Sequence, residues 1–268
     1  EVKMNIQISK RLAGLTGYAF AEVDNEVAKL KQIGVTPIDF GVGDPKEPTP
    51  EIVRNEIKKA VDRRKSSGYP SYIGTEEYRQ EIANWHKKRF GVNLDYQKEI
   101  TSTIVAKEAV FNFPEAFINQ GDYAIMPNPG YPPYERGALF AEGRPYFVPL
   151  LKENDFLMGL SSIPKDIVKK SKILWIDYPN NPTGKIAPKE FFKEVIDFGH
   201  DNNIIIASDE CYTEIYFKEK PHSILEFSKE GVVAFQSLSK RSAMTGYRIG
   251  WLAGDENIIT AFRKLKTN

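Results

Sequence analysis

The stretch "SLSKRSAMTGYRIGW", residues 237–251, follows directly on the apolar run "GVVAFQ" and holds an amine, two guanidiniums, several hydroxyls and two glycines. Lys240 offers a nucleophilic amine at the mouth of a buried strand. Arg248 offers a planar fork that suits a phosphate dianion. Ser237 and Ser239 add hydroxyl donors, and Gly246 and Gly250 let backbone approach closely. Asp209 closes a second apolar run, "NIIIAS", where a buried carboxylate requires a cation or an N–H partner. Tyr131, after a Pro-Gly turn, can present a flat aromatic face. A phosphorylated aromatic ligand with a carbonyl and a ring nitrogen satisfies all of these together. Pyridoxal 5'-phosphate is that ligand: its aldehyde suits the lysine, its ring nitrogen the aspartate, and its phosphate the arginine and serines.

Such side chains need a scaffold that gathers several strand ends. Helical periodicity predicts helices over 51–64, 75–90, 107–119, 188–202 and 255–266. Between them lie the short apolar runs "DYAIMP", "RPYFVPL", "KILWIDY", "NIIIAS", "GVVAFQ" and "IGWLAG", bounded by Pro, Gly, Asn or Asp. Strands buried on both faces read this way, and their alternation with helices predicts an α/β fold with a mostly parallel sheet flanked by helices. Ligands of open α/β sheets sit outside the carboxyl ends of the strands. The polar loops "PNPGYPPY", "PNNPTG", "DECY" and "SLSK" each follow a strand, so chemistry is expected at that edge. The punctuation "GVGDPKEPTP" at 41–50 divides the chain. Residues 1–45 are expected to form an N-terminal arm or part of a small domain, and 46–254 a large cofactor-binding domain. Residues 255–268 would begin a helix leading to a C-terminal small domain absent from this chain, leaving the apolar face of Ile258, Ile259, Phe262 and Leu265 short of partners.

Composition narrows the class of partner. Among 268 residues, 37 Lys and Arg nearly balance 36 Asp and Glu, which disfavours nucleic acid and anionic membrane and leaves small molecules. Cys211 is the single cysteine, so no internal disulfide can form, and it receives no role. No apolar run approaches the roughly 18 residues of a membrane span. With nothing resembling a leader at the start, the expectation is a cytoplasmic protein. His86, His200 and His222 lack ligand spacing, so no metal site is expected.

The motifs "YPSYIGTEEYRQEIANW", "PNPGYPPY", "DYPNNPTGK", "SDECYTEIYF" and "SLSKRSAMTGYRIGWLAG" together resemble the fold type I pyridoxal-phosphate enzymes, specifically the class I/II aminotransferases. The resemblance covers most of residues 40–255. It implies that Lys240 forms the Schiff base with the cofactor and then shuttles a proton at the substrate. Asp209 would keep the ring nitrogen protonated, Asn181 and Tyr212 would hydrogen-bond the ring's phenolic oxygen, and Tyr131 would stack on the ring. Ser237, Ser239 and Arg248 would bind the phosphate, with N–H groups near Lys107 at a helix start. Tyr69 resembles the tyrosine that reaches the neighbouring subunit's phosphate, which implies a homodimer, and Gly43 the glycine near the substrate carboxylate.

Singly, each of these residues has an ordinary explanation: a solvated lysine, an aspartate capping a helix, "NPTG" as a turn, packing tyrosines. Their conjunction in five segments is what carries the resemblance. Two departures stand out. Where relatives place a glycine and a small hydroxyl residue before the phosphate-binding helix, this sequence has Val105 and Ala106. Relatives also continue past "ITAFRKLKTN" into a domain supplying the arginine for the substrate's α-carboxylate, so this chain reads as a fragment of a longer enzyme or a truncated one. The implied function is aminotransfer between an α-amino acid and a 2-oxo acid, in the manner of relatives acting on aspartate, aromatic amino acids or LL-diaminopimelate. The alternatives are a carbon–sulfur β-lyase of the same fold and a binding or dimerisation module without turnover.

Overall fold

In the computed structural model, residues 4–15, 21–38, 40–41 and 43–267 are described, and the chain divides into two units, Glu1–Lys46 and Glu47–Asn268. The first unit holds α1 (Lys10–Ala13), capped by the Ser9 hydroxyl, and α2 (Ala21–Gln32); neither buries a residue. The second unit runs α3 (Glu51–Arg63), α4 (Glu76–Phe90), β1 (Ile100–Thr103), α5 (Val105–Asn112), β2 (Tyr123–Asn128), α6 (Pro133–Phe140), β3 (Arg144–Pro149) and α7 (Lys165–Lys170). It continues with β4 (Ser171–Asp177), α8 (Lys189–Asn202), β5 (Ile205–Asp209), β6 (Val232–Ser237), α9 (Leu238–Arg241), β7 (Gly250–Gly254) and α10 (Glu256–Lys266).

The strands form one sheet in the order β1-β7-β6-β5-β4-β2-β3. Pairs β2–β3, β2–β4, β4–β5 and β5–β6 are parallel; β7 runs antiparallel to both β6 and β1. The mostly parallel sheet read from the apolar runs is therefore present. Its apolar runs are continuous because both faces are covered. Along β4, Ile173 and Trp175 face a cluster with Val110 and Phe113 of the α5 region, Tyr134 of α6, and Ile259 and Phe262 of α10. Leu174 and Ile176 face the opposite cluster, with Ile82 and Phe90 of α4 and Phe191, Phe192 and Val195 of α8. Successive residues of a strand alternate between these two cores.

Two expectations are corrected by packing, and one strand joins the sheet that no apolar run marks. Helix α5 stops at Asn112 and gives way to a tight 3₁₀ turn, Phe113–Ala116, instead of continuing to 119, because Pro114 lacks an N–H and disfavours the helical state before it. The short strand β1, "ITST", has no apolar run to betray it, yet it pairs with β7 from Ile100↔Ala253 to Thr103↔Gly250. The apolar face of α10 is not short of partners: Ile258, Ile259 and Phe262 are buried against the sheet, and Asp255 caps the helix through the N–H groups of Asn257 and Ile258.

Val105 opens α5 at φ 58°, in the left-handed region that costs a non-glycine residue about 1–2 kcal/mol. Its Cα lies 2.9 Å from where a Cβ on Gly250 would sit, so the turn is wedged against β7 and Gly250 cannot carry a side chain. Burial of the Val105 isopropyl group, worth roughly 1.5–3 kcal/mol, offsets the strain. Val105→Ala loses that packing and keeps the strain, whereas Val105→Gly relieves the strain. The glycine variant is expected to be the more stable of the two by about 1 kcal/mol in urea unfolding, the reverse of the usual order.

Candidate active site

Five parallel strands end at one edge, and polar loops follow four of them, β2, β4, β5 and β6. Asp177 ends β4 and Asp209 ends β5, paired in register. By strand alternation both side chains point to the face covered by α6, the face of Trp175 and Ala207. There the Tyr134 hydroxyl donates to Asp209 Oδ2 at 2.9 Å, while its ring stacks on Trp175 with centroids 4.8 Å apart. Asp209 Oδ1 accepts from the Cys211 backbone N–H at 3.2 Å, and Asp177 Oδ2 from that of Asn181 at 3.3 Å. Both carboxyls are buried, Asp177 with 1% and Asp209 with 5% of its surface exposed; burial raises Asp177 well above the ordinary carboxylate range, and raises Asp209 against the lowering pull of its hydrogen-bond donors.

Around this pair stand the aromatic groups. Tyr131 meets Tyr134 edge-on at 5.8 Å and is half-buried. Burial, with Asp209 and Cys211 beside it, pushes its hydroxyl up to about 12, against the opposing influence of Arg248 and Arg136. Tyr212 is raised by burial and by Asp209, Cys211 and Asp177. Tyr131, Tyr212, Asp209 and Arg248 are thus electrostatic neighbours. Asn181 joins them through Asp177.

One strand over, Ser237 ends β6 and caps α9, its Oγ accepting from the Ser239 N–H at 3.1 Å. Ser237 and Ser239 are buried; Lys240, on α9, is half-buried. Arg248 is exposed at φ 57° in the turn before β7, and its Nη1 donates to the Thr245 carbonyl at 2.8 Å. Lys107 is exposed in the first turn of α5, which packs against β6 and β7. Tyr69 is wholly exposed, and Gly43 is an exposed residue of the first unit. An open groove of about 920 Å³, lined by Arg248, Tyr72, Tyr78, Glu108 and Lys266, contains neither Lys240 nor the carboxyl pair. Among the described residues, no group of three or more His, Cys, Asp or Glu could hold a metal ion, and no helix is long and apolar enough to cross a membrane.

Two participants escaped the sequence reading. Asp177 closes the run "ILWID" as Asp209 closes "IIIASD", and Tyr134 stands in the first turn of α6, three residues after Tyr131.

A family model for aminotransferase class I and II matches residues 35–268. The chain belongs to the class I and II aminotransferases. An LL-diaminopimelate aminotransferase of Aquifex aeolicus is 46% identical over 265 residues, which are 98% of this chain and 68% of that protein. The substrate-bound BacF structure from Bacillus subtilis superposes with a TM-score of 0.93 at 28% identity, covering 98% of this chain and 67% of that one. A Thermus thermophilus aspartate aminotransferase, a single mutant, gives 0.91 at 26% identity, over 98% and 68%. The chain thus spans about two thirds of each.

Aminotransferases of this family are pyridoxal-phosphate enzymes that move an amino group between an amino acid and a 2-oxo acid. The residues present fit that cofactor. A buried carboxylate at Asp209 calls for a cation, Tyr131 stands beside it, and hydroxyl, guanidinium and backbone N–H donors lie at the ends of β6 and the start of α5.

Next to Asp209, Glu210 points to the opposite face and is buried. It accepts from the Ile224 N–H at 2.9 Å, Ser208 Oγ at 3.0 Å and Gln236 Nε2 at 3.1 Å, yet burial pushes it up to about 7. The neutral acid is therefore the form the fold favours. Its contribution to stability is complete below the unfolded value of 4.5 and is lost as pH rises through 7. In Glu210→Gln an amide replaces the acid, and a flipped Gln236, whose Oε1 is buried without a partner, can accept from it. The unfolding free energy of Glu210→Gln minus that of the unsubstituted protein is expected to rise between pH 4.5 and 7, by at most about 1.4 kcal/mol per pH unit, and to level off above.

Proposed function

We propose that Lys240 carries pyridoxal phosphate covalently in this aminotransferase, and that the amino donor is LL-diaminopimelate. The observation that carries the reading is the placement of Lys240 just past β6, beside the strand end that presents Asp209. The donor is supported by the name of the 46%-identical Aquifex relative.

Pyridoxal phosphate supplies an electron sink that stabilises negative charge at the amino acid's Cα. The chain's own residues do the rest. Lys240 Nζ would take the proton from the substrate Cα and deliver it to the cofactor carbon that bore the aldehyde, the shift that leaves the amino group on the cofactor, a transfer suited to an amine held at that point. Asp209, fixed by Tyr134 and the Cys211 N–H, holds the proton of the ring nitrogen through its charge. Tyr212 and Asn181 donate to the ring oxygen, and Asn181 also lies toward the substrate. Tyr131 covers the ring face and excludes water. Ser237, Ser239, Arg248 and the N–H groups near Lys107 bind the phosphate, with the helix dipole of α5 adding to the attraction. The enzyme would work in the cytoplasm as a homodimer, in which the exposed Tyr69 reaches the partner's phosphate.

Borohydride reduction of the cofactor-loaded protein should fix the label on the peptide containing Lys240. Lys240→Ala should lose transamination from LL-diaminopimelate to 2-oxoglutarate by about a thousandfold, the range of lost general acid–base assistance. A label on other lysines only, or none, would overturn the assignment. Pyruvate released from cystathionine without an added oxo acid would replace aminotransfer by β-elimination.

A further inference from the structure

The proposed mechanism uses one of the two carboxyls at the sheet edge and leaves the other unexplained. We propose that Asp177 is a positioning residue for the cofactor-facing carboxylate: it stays a neutral acid, and its proton on Oδ1 makes Asp177 and Asp209 a one-proton pair in which Asp209 is the anion. The inference rests on the reading that Asp209 faces the ring nitrogen.

Three observations carry it. First, the two residues are register partners on neighbouring parallel strands, about 4.8 Å apart along the hydrogen-bonding direction, and point to the same face. Two adjacent buried carboxyls of this kind cannot both ionise, and a shared proton is the usual resolution. Second, the donors are unequally divided. Asp209 receives one on each oxygen, from Tyr134 and the Cys211 N–H. Asp177 receives the Asn181 N–H at 3.3 Å on Oδ2 and has the Tyr134 hydroxyl nearby, though that hydroxyl's 2.9 Å bond goes to Asp209, while the Asp177 Oδ1 is buried with no partner. The negative charge is better held where the donors are, and a proton on Asp177 Oδ1 spares an atom without any donor from carrying that charge. Third, the titratable groups around Asp177 supply no competing acid. Asp209 and Cys211 come from β5 and its turn, Tyr212 from just beyond, Tyr134 from α6, and Tyr178 from Asp177's own strand end. The tyrosines and the thiol are all held in their neutral forms by burial.

The same side chain reaches into the neighbouring loop. By accepting from the Asn181 N–H, Asp177 Oδ2 fixes the backbone that carries the side chain proposed for the ring oxygen. Asp177 would therefore set both the charge at one end of the ring and the loop geometry at the other.

Asparagine imitates the neutral acid, with an N–H where the O–H stood; leucine has the size and neither donor nor acceptor. In the cofactor-loaded protein, Asp177→Asn should keep the cofactor Kd within about threefold and leave the pH midpoint of the visible absorbance in place. Asp177→Leu should weaken the cofactor about tenfold, as one lost charge-assisted hydrogen bond does, and move that midpoint. Independently of cofactor, infrared difference spectra at pH 8 in a Glu210→Gln background should show a protonated-carboxyl C=O band that vanishes on Asp177→Asn. That background removes Glu210, whose buried carboxyl is pushed up to about 7. If Asp177→Asn shifts the midpoint as far as leucine does, or the carboxyl band survives it, Asp177 is not the proton holder. If leucine leaves Kd and midpoint unchanged, it has no positioning role. Should leucine prevent folding, the infrared band of the asparagine variant decides. An unsubstituted protein that captures no cofactor while keeping the band would overturn the reading of Asp209 instead.

Discussion

A carboxylate placed beyond the reach of water must be neutralised, solvated by donors, or matched by a cation, and the arrangement at the ends of β4 and β5 answers to that requirement. Asp209 obtains Tyr134 from α6 and a backbone N–H from the turn it begins. To hold Tyr134 there, α6 must lie flat on the sheet, and it does so by stacking that tyrosine on Trp175 of β4. The helix that supplies the donor is thus anchored by the strand that ends in Asp177. Removing any one layer exposes or strands a charge, so the core on this face and the polar edge are a single construction.

The parallel sheet explains why chemistry collects at one edge. Each parallel strand delivers its last residue to the same side, and alternation then sorts those residues by face: Asp177, Asp209 and Ser237 share the parity of Trp175, Ala207 and Phe235, while Glu210 falls to the other side. Neighbours in sequence therefore have different fates. Asp209 lies beside the residues of the candidate site, whereas Glu210 is spent on an internal network with Ser208, Ile224 and Gln236.

Much of this was legible from the chain alone, because apolar runs of fixed length and their polar successors encode strand ends directly. The six runs are strands, and the loops "DECY" and "SLSK" sit where parallel topology puts them. Sequence did not show what depends on lateral distance. Asp177 looked like the last letter of a strand, since its meaning comes from a partner two elements away in the chain, across a strand boundary. Strand β1 was hidden because its residues are threonine and serine, held by pairing with β7 and not by their own apolarity. The overlong reading of α5 ignored Pro114, a local signal that outweighed a helical apolar pattern. Val105 was noticed as an unusual residue type, but its left-handed backbone was visible only once the turn against Gly250 was seen.

The reversal of β7 has one more effect. A parallel successor to β6 would have carried the chain away to the opposite edge before returning; the antiparallel one turns back at once, so Lys240 and Arg248 hang on the same short excursion between Ser237 and Gly250. The amine and the guanidinium are hinged to a common frame. A ligand gripped by both would tie the two ends of that excursion together and make the segment between them as stiff as the sheet it leaves.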